Sequence, residues 1–285
     1  MTASPELRDQ VARALAEDVG SGDVTANAVI AADVNATARI VQKSPGVVFG
    51  FGVAAEVFEQ MGAARFESLV GEGAWLDDVP RDIARVTGPG RAILTAERTA
   101  LNFLGHLSGI ATLTTQFVER ALKGGAQILD TRKTIPGLRT LEKAAVAAGG
   151  GSNHRMGLHD AVLIKENHAR LAGGVAEAVS RAQAGAPGLP VVVEVRDAVE
   201  VRQALDSGAD RLLLDNMGMS ALKSAVATRN EAERETGRRA ELEASGGVSL
   251  ATVAAISETA VDFISVGALT HSAPALDLSL LVDAG

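Results

Sequence analysis

Short apolar runs that end in charged or polar residues are the feature of this sequence that most constrains its fold. Helical periodicity fills the intervals between six such runs, which are AQILD (126–130), AVLIK (161–165), PVVVE (190–194), RLLLD (211–215), ELEAS (241–245) and DFISV (262–266). Strands that alternate with helices favour parallel β/α units. In a β/α barrel the carboxyl ends of all strands open on one face, where catalytic residues lie. Because four of the six runs end in an ionisable group, the pattern predicts an active site.

Composition limits the classes of function. The absence of cysteine excludes disulfides, thiolate metal sites and cysteine nucleophiles. A formal net charge of −8 gives no support to nucleic-acid binding. No apolar run is long enough to cross a membrane, and the polar N-terminus lacks the pattern of a secretory signal. We therefore expect a cytoplasmic protein without membrane or nucleic-acid partners.

The first third of the chain differs in kind from the part that carries the six runs. A helix is predicted over residues 5–19, another over 53–61, and a long linking helix from 95 to 123. Short β-prone segments lie between them, at TARIVQ (37–42), VVFGF (47–51), ARFESLV (64–70) and IARVTG (83–88). The pattern predicts a first domain over 1–110, which comprises an N-terminal helix, an α/β sandwich with an antiparallel sheet and the linking helix. An α/β barrel with the active site is predicted over 111–270. A C-terminal segment over 271–285 is predicted to return to the first domain.

Positive charge is concentrated in one block of this acidic chain. Residues 131–155 hold a single acid, Glu142, against six cationic or basic side chains, namely Arg132, Lys133, Arg139, Lys143, His154 and Arg155. Such a block favours a small anionic ligand, although a solvated basic loop is the alternative. Lys165 adds to the prediction, because a lysine that ends a buried strand is costly unless it faces a site.

Two carboxylates, Glu194 and Asp215, end strand runs that are separated by one helix-length crossover. They could form an acid/base pair or supply oxygen ligands to a hard cation such as Mg²⁺. A structural network with Lys133 or Lys165 is the alternative to both.

Two glycine-rich turns follow the last two strand runs. Ser245, Gly246 and Gly247 precede a helical pattern at 249–256, and Ser265 and Gly267 close the next strand in the same way. Successive backbone N–H groups at such turns can cradle a phosphate, aided by a helix N-terminus. His271 is a candidate further contact.

Several stretches together resemble the quinolinate phosphoribosyltransferase family, in collinear order over nearly the whole chain. They are EDVGSGDVTA (17–26), ERTALNFLGHLSGIAT (97–112), LDTRKTIPGLR (129–139), GGGSNHRMGLHDAVLIKENH (149–168), LLLDN (212–216), EASGGV (243–248) and SVGALTHS (265–272). The resemblance implies an N-terminal sandwich and an incomplete, seven-stranded α/β barrel of the type II phosphoribosyltransferase kind. It also implies that a homodimer transfers a phosphoribosyl group from phosphoribosyl pyrophosphate to quinolinate, with loss of pyrophosphate and carbon dioxide, to give nicotinate mononucleotide in NAD biosynthesis. Assembly beyond the dimer is left open.

The resemblance also implies roles for the matching residues. The quinolinate pocket would comprise Arg132, Lys133, His154, Arg155 and Lys165, with Arg98, at the start of the linking helix, contributed by the neighbouring subunit. The phosphoribosyl group would meet Glu194, Asp215, Ser245, Gly246, Gly247, Ser265, Gly267 and His271, with Mg²⁺ on Glu194 and Asp215. Catalysis would rest on Lys133, Lys165, Glu194 and Asp215, through positioning and electrostatics.

Other readings use the same residues. A Schiff-base aldolase could use Lys165 as its amine. A phosphoribosyltransferase acting on nicotinate would need no decarboxylation, and a non-catalytic sensor of phosphorylated metabolites would bind the ligands without turnover. The number of cations favours a dicarboxylate substrate over these alternatives.

Overall fold

The computed structural model describes residues 4–63 and 65–283 and divides the chain into two compact units. Unit 1 comprises Met1–Leu113 and Ala273–Gly285, and unit 2 comprises Thr114–Ser272. Residues 1–3 and 284–285, at the outer ends of the first and last predicted segments, lie outside the described residues, as does residue 64 of the predicted segment 64–70.

Unit 1 carries an antiparallel sheet with helices. Its elements are α1 (Pro5–Val19), α2 (Val24–Val29), β1 (Asn35–Gln42), β2 (Gly46–Val47), α3 (Phe51–Gln60), β3 (Arg65–Ser68), β4 (Trp75–Leu76), β5 (Arg81–Pro89), most of α4 (Gly90–Ala121) and, from the end of the chain, β12 (Leu278–Val282). The main sheet has the order β12-β1-β5-β3, and β2 pairs with β4. The C-terminal strand thus pairs with β1 of the same unit.

Local signals explain where the first helices lie. Ser4 caps α1 by accepting the Leu7 N–H at 3.2 Å, and Pro5 occupies the first turn. The predicted strand at 47–51 is wrong beyond Val47. Gly50 turns the chain with φ 112°, and Glu72 accepts the first N–H groups of α3, so the segment enters a helix instead.

One glycine of α4 permits a close approach within unit 1. A Cβ at Gly109 would lie 2.1 Å from the carbonyl oxygen of Pro274. The adjacent turn of α4 is held as well, since the Gly105 carbonyl accepts the Leu276 N–H at 2.9 Å. Only a residue without a side chain lets the returning segment lie against the helix at this point.

Unit 2 alternates strands and helices, as the sequence pattern predicts. Its elements after α4 are β6 (Gln127–Leu129), α5 (Arg139–Ala148), β7 (Val162–Ile164), α6 (Glu166–Ala172), α7 (Val175–Gly185), β8 (Val191–Val195), α8 (Ala198–Asp206), β9 (Arg211–Asp215), α9 (Met219–Thr236), β10 (Glu241–Ser245), α10 (Val253–Ser257), β11 (Phe263–Ser265) and α11 (Ala268–His271). Five of the six predicted strand runs contain one of these strands, and β8 extends one residue beyond the sixth run, 190–194.

The strands of unit 2 form one parallel sheet in the order β6-β11-β10-β9-β8-β7. A seventh position lies beyond β6, where Ser152 forms a single parallel bridge with Leu129 and donates its N–H to the Ile128 carbonyl at 2.8 Å. The barrel therefore has six strands and one bridge where seven strands were expected. The predicted α/β barrel with a separate sheet domain is confirmed.

Strand register sets the depth of the polar residues at the carboxyl ends. Asp215 pairs in register with Ser245, which pairs with Ser265 on the other side. Leu213 pairs with both Glu194 and Glu243, one layer deeper. Because side chains alternate along a strand, these residues share one face of the sheet. Within residues 4–63 and 65–283, no helix combines the length and apolar character needed to cross a membrane.

Candidate active site

A cavity of about 310 Å³ opens at the carboxyl ends of the parallel strands. Its wall is formed by Thr131, Arg132, Lys133, His154, Arg155, Leu163, Lys165, Glu194, Leu213, Asp215, Glu243, Ser245 and Ser265. Nine of the side chains that the sequence singled out therefore converge on one space. The two leucines add apolar surface on which a flat ring can lie.

Four cations of this wall form no ion pair with a carboxylate. In the part of the chain that the structure describes, no carboxylate forms an ion pair with the side chains of Arg132, Lys133, Arg155 or Lys165. The alternative of a structural network between these lysines and the strand-end carboxylates is therefore not found. Unpaired cations that face one cavity form a site for an anion with more than one negative charge.

Arg132 and Arg155 are the two cations whose hydrogen bonds and charge are least satisfied by protein groups. The Nε atom of Arg132 is buried and has no hydrogen-bond partner. Burial, together with the neighbouring charge of Arg132, lowers the pKa of Arg155. One Arg155 nitrogen donates to the Ala161 carbonyl at 3.2 Å, which fixes the direction of its guanidinium. A bound carboxylate would relieve both the missing hydrogen bond and the repulsion.

A buried ion pair holds the segment that carries His154 and Arg155. Asp130 was expected among the groups at the open strand ends, but its side chain is fully buried and accepts a short hydrogen bond from Lys143. Asp130 Oδ1 also accepts the His154 N–H at 2.8 Å, and Lys143 donates to the His154 carbonyl at 2.9 Å. The Asn153 amide, turned to suit its neighbours, donates to Asp130 Oδ2 at 2.7 Å. Asp130 and Lys143 therefore shape the wall from behind.

Both ring nitrogens of His154 are engaged by protein groups. Nδ1 accepts the Arg155 N–H at 2.7 Å, and Nε2 lies 3.4 Å from Oε2 of Glu243. Glu243 is fully buried and also accepts a short hydrogen bond from the Ser265 hydroxyl. Burial acts to raise the pKa of Glu243, but the hydrogen bonds from His154 and Ser265, with the charge of Arg211, outweigh it and hold that pKa below its ordinary value.

The turn after Arg155 is tied to the neighbouring loop. Asp160 accepts the N–H groups of Met156 and Gly157, at 2.5 and 2.9 Å, and the Gly157 hydrogen bond is the main cause of a lowered pKa at Asp160. Arg139 donates to the Met156 carbonyl at 3.1 Å and to the Thr134 hydroxyl at 3.0 Å. Hydrogen bonds of Arg139 thus connect the two loops that supply the cations.

The two carboxylates lie on neighbouring strands at the open end. Glu194 on β8 and Asp215 on β9 are half-buried and line the cavity. Among the described residues, no group of three or more His, Cys, Asp or Glu side chains is arranged to hold a metal ion. Mg²⁺ is commonly bound by one or two carboxylates completed by water and substrate phosphate oxygens. Two carboxylates in the cavity wall fit that mode of binding and do not fit a cage made of protein alone.

The first glycine-rich turn packs against the residue that follows Asp215. A Cβ at Gly246 would lie 2.2 Å from the Asn216 side-chain oxygen, and Gly246 has φ 93°. Asn216, itself at φ 52°, donates its N–H to the Ser245 carbonyl at 2.8 Å and its amide to Asp215 Oδ2 at 3.0 Å. The predicted helix at 249–256 begins only at Val253, because hydrogen bonds between Ser249 and Thr252 form a separate turn first. No helix N-terminus therefore adjoins this turn.

The other predicted phosphoribosyl residues lie behind or beside the wall. Among them, Gly246, Gly247, Gly267 and His271 do not line the cavity. A Cβ at Gly267 would lie 3.2 Å from both the Lys133 side chain and the His271 ring, so these groups are close neighbours. Thr270 donates to the Lys133 carbonyl at 2.8 Å, which fixes the main chain at Lys133.

Arg98 belongs to unit 1. It is exposed on α4, which begins at Gly90, so Arg98 lies in the third turn of the helix and not at its start. The site of unit 2 is built without it.

The sequence reasoning missed Glu243 and Asp160, and it gave no individual role to Arg139 and Lys143 of the basic block or to Asn216 at a strand end. Glu243 had a usable signal, because it precedes Ser245 by two residues and must share its face of the strand. Asp160 and Arg139 lie within the stretches that carry the family resemblance, but their hydrogen bonds to loop main chain have no sequence signature. Lys143 was counted only as part of the basic block.

Comparison with known protein families gives the same answer for both halves of the chain. Residues 23–108 match the model of the quinolinate phosphoribosyl transferase N-terminal domain, and residues 110–281 match that of its C-terminal domain.

Individual relatives agree. The chain is 42% identical over 277 residues to the nicotinate-nucleotide pyrophosphorylase (carboxylating) of Mycobacterium leprae, covering 96% of each chain. It is 42% identical over 299 residues to the chloroplastic nicotinate-nucleotide pyrophosphorylase (carboxylating) of Oryza sativa subsp. japonica, covering 98% of this chain and 78% of the relative. The nicotinate-nucleotide pyrophosphorylase structure from Francisella tularensis superposes with a TM-score of 0.92 at 39% identity, over 99% of this chain and 98% of that one.

Proposed function

The chain belongs to the quinolinate phosphoribosyltransferase family, and we propose that the strand-end cavity is where it transfers a phosphoribosyl group from phosphoribosyl pyrophosphate to quinolinate. The products are nicotinate mononucleotide, pyrophosphate and carbon dioxide, and the reaction serves NAD biosynthesis. The observation that carries the assignment to this cavity is its set of four cations that form no ion pair with a carboxylate, beside Glu194 and Asp215 in the same wall.

Quinolinate carries two adjacent carboxylates on a pyridine ring. Arg132 and Arg155 would hold them, since a guanidinium binds a carboxylate through two parallel hydrogen bonds. The buried, unpaired Nε of Arg132 is a donor ready for this purpose. Lys133 and Lys165 add point charges, and Leu163 and Leu213 can contact the ring face.

The phosphoribosyl donor would occupy the opposite side, where Glu194 and Asp215 meet the serines of β10 and β11. The two carboxylates would hold Mg²⁺ together with the donor's oxygens. When bound, Mg²⁺ would neutralise charge on the pyrophosphate group. The 5′-phosphate would lie beside the turns Ser245–Gly247 and Ser265–Gly267, whose first residues, Ser245 and Ser265, line the cavity.

The chemistry follows from this arrangement. The bond between the anomeric carbon and pyrophosphate breaks, with its electron pair leaving on pyrophosphate, while the pyridine nitrogen donates its lone pair to that carbon. Lys133 and Lys165 stabilise the negative charge, and the carboxylates favour the cationic character of the ribose. The ribosylated ring is then cationic, so it can accept the electron pair of the adjacent C–CO₂ bond as carbon dioxide leaves. A proton from solvent completes the product.

Assembly and location are parts of the same proposal. Arg98 would complete the quinolinate pocket of a neighbouring subunit in a homodimer, supported by its exposure on α4 and by the family resemblance of the segment 97–112. A cytoplasmic location is supported by the donor substrate, since a highly charged phosphorylated metabolite does not cross membranes unaided.

The test is an assay with quinolinate, phosphoribosyl pyrophosphate and Mg²⁺ that follows nicotinate mononucleotide and carbon dioxide together. We expect product only when all three components are present, with equal amounts of carbon dioxide. Product from nicotinate but not from quinolinate would overturn the dicarboxylate assignment. Sedimentation of the purified protein and fractionation of cells test the dimer and the location separately.

A further inference from the structure

Glu243 is a fully buried carboxylate in the wall of a cavity built to bind anions. A negative charge at this point opposes the binding of a dicarboxylate, and the reaction described above gives it no task. It faces His154 Nε2 at 3.4 Å, Arg211 Nη1 at 3.4 Å and the Ser265 hydroxyl. A buried charge held by three different elements is expected to have a reason beyond stability.

The hydrogen bonds of His154 define its tautomer. Because Nδ1 accepts the Arg155 N–H at 2.7 Å, Nδ1 carries no proton. The single ring proton then lies on Nε2, which faces Glu243 Oε2 at 3.4 Å. The other charged groups around this residue are Asp130 and Lys143, both bonded to its main chain, and Arg211 behind Glu243.

We propose that Glu243 is a positioning residue for quinolinate binding, which acts by holding His154 as the Nε2–H tautomer so that Nδ1 fixes the Arg155 main chain. This inference rests on the proposed function for the identity of the ligand. It also gives His154 a role different from the one that the sequence predicts, because a ring with both nitrogens occupied supplies no cationic contact to the substrate.

Charge and geometry explain why a carboxylate is needed. If the ring proton were on Nδ1 of His154, that N–H and the main-chain N–H of Arg155 would face each other as two donors only 2.7 Å apart. The Arg155 main chain would then have to move. Glu243 accepts only, so it selects the tautomer that leaves Nδ1 free to accept. A neutral amide in its place can present either oxygen or nitrogen to the ring, which makes both tautomers accessible.

The first test reads the tautomer directly in the wild-type enzyme. Nitrogen-15 NMR of histidine-labelled protein, with His154 assigned by through-bond connection to its main chain, distinguishes Nδ1–H, Nε2–H and doubly protonated rings. We expect His154 to be protonated on Nε2 alone at neutral pH, before and after quinolinate is added. An Nδ1–H ring, or a ring that gains a second proton when quinolinate binds, would overturn the proposal.

The second test compares two isosteric substitutions on one strand. Glu243→Gln removes the charge that faces His154. Glu241, two residues before Glu243, also binds Arg211 but does not contact His154, so Glu241→Gln is the matched control. We expect Glu243→Gln to raise KM for quinolinate about 10-fold, with a much smaller change in KM for phosphoribosyl pyrophosphate, because Arg155 is displaced from its ligand. We also expect a mixture of His154 tautomers in this variant.

The outcomes separate this inference from the proposed function. If Glu243→Gln and Glu241→Gln change KM for quinolinate equally, Glu243 has no positioning role. The proposed activity would be unaffected by that result. If the wild-type enzyme has no activity on quinolinate, the proposed function is wrong. The His154 tautomer in the ligand-free protein would still show whether Glu243 holds the proton on Nε2. If Glu243→Gln fails to fold, the wild-type spectra with and without quinolinate decide alone.

Discussion

Lys143 and Asp130 form an ion pair in which the two side chains have exposed fractions of 1% and 0%. Their remaining hydrogen bonds all go to the segment that carries Asn153 and His154. The pair therefore couples stability to the active site, since loss of either partner leaves an uncompensated charge directly behind the cavity wall.

We expect Lys143→Met to lower the free energy of unfolding by about 3–5 kcal/mol, because it strands the Asp130 charge in the interior. Urea unfolding measures the loss. The double variant Lys143→Met/Asp130→Asn should recover part of it, as no charge is then left without a partner. Lys123→Met is the matched control, since Lys123 pairs with Glu258 at the surface and should matter little. Equal stability of Lys143→Met and Lys123→Met would contradict the role of the buried pair.

Replacement of Lys165 tests the cationic wall at a position where stability is not at risk. The side chain is exposed, so Lys165→Ala should unfold at the wild-type urea concentration. Turnover should fall by about 100-fold or more, in line with the removal of one preorganised electrostatic contact to the transition state. Lys223→Ala, an exposed lysine on α9 away from the cavity, is the control and should keep full activity. Near-normal turnover of Lys165→Ala would exclude this residue from the reaction.

The strands and their open ends could be predicted because both depend on local pattern. Runs such as 211–215 are apolar, are bounded by polar residues and end in a charge, and the residue predicted at the strand end, Asp215, is the last residue of β9. Parallel topology then brings distant strand ends together, so the cations and carboxylates could be grouped before their distances were known.

The parts that could not be predicted depend on contacts between residues far apart in sequence. From the sequence, Asp130 is predicted to be one more charge at an open strand end. In the structure it is buried in an ion pair with Lys143, which lies 13 residues later. His154 reads as a candidate ligand contact until Glu243 is found beside its ring. The delayed start of α10 is instead a local effect that the helical pattern concealed, since the hydrogen bonds between Ser249 and Thr252 compete with helix formation.

The proposed shared site makes a quantitative prediction for mixed dimers. In a dimer of one Arg98→Ala chain and one Lys165→Ala chain, one site receives Lys165 and Arg98 from different subunits and is intact, while the other lacks both. Random exchange of equal amounts makes half of the dimers mixed, so about one quarter of wild-type activity should return. Differently tagged chains establish the exchange. Exchange without recovery would show that Arg98 does not serve the neighbouring subunit.

Asn216 should matter for the phosphoribosyl side of the site. Its amide orients Asp215 at 3.0 Å, and its main-chain N–H holds the Ser245 carbonyl at 2.8 Å. We expect Asn216→Ala and Asn216→Gly each to raise KM for phosphoribosyl pyrophosphate about 10-fold, because both free the Asp215 carboxylate. Only the alanine variant should also lose about 1 kcal/mol of unfolding free energy, since alanine is strained at φ 52°. Isothermal calorimetry with the donor substrate checks the binding without turnover, and unchanged affinity in both variants would contradict this role.

The acid sensitivity of the fold should depend in part on Asp262, which lies outside the cavity. Burial acts to raise the pKa of Asp262, but the Leu242 N–H and the charges of Arg239 and Arg229 outweigh it, so the folded-state pKa lies below the ordinary value of 3.8. A carboxyl group whose pKa is lowered by folding stabilises the folded state above its unfolded-state pKa and loses that contribution as pH falls through the folded-state value. Asp262→Asn should therefore reduce stability at pH 6, and its deficit relative to wild type should shrink as pH falls below about 3.8. Urea unfolding at several pH values measures this, with Asp33→Asn at an exposed position as the control. A deficit of the same size at pH 6 and at pH 3 would mean that Asp262 contributes through packing and not through its charge.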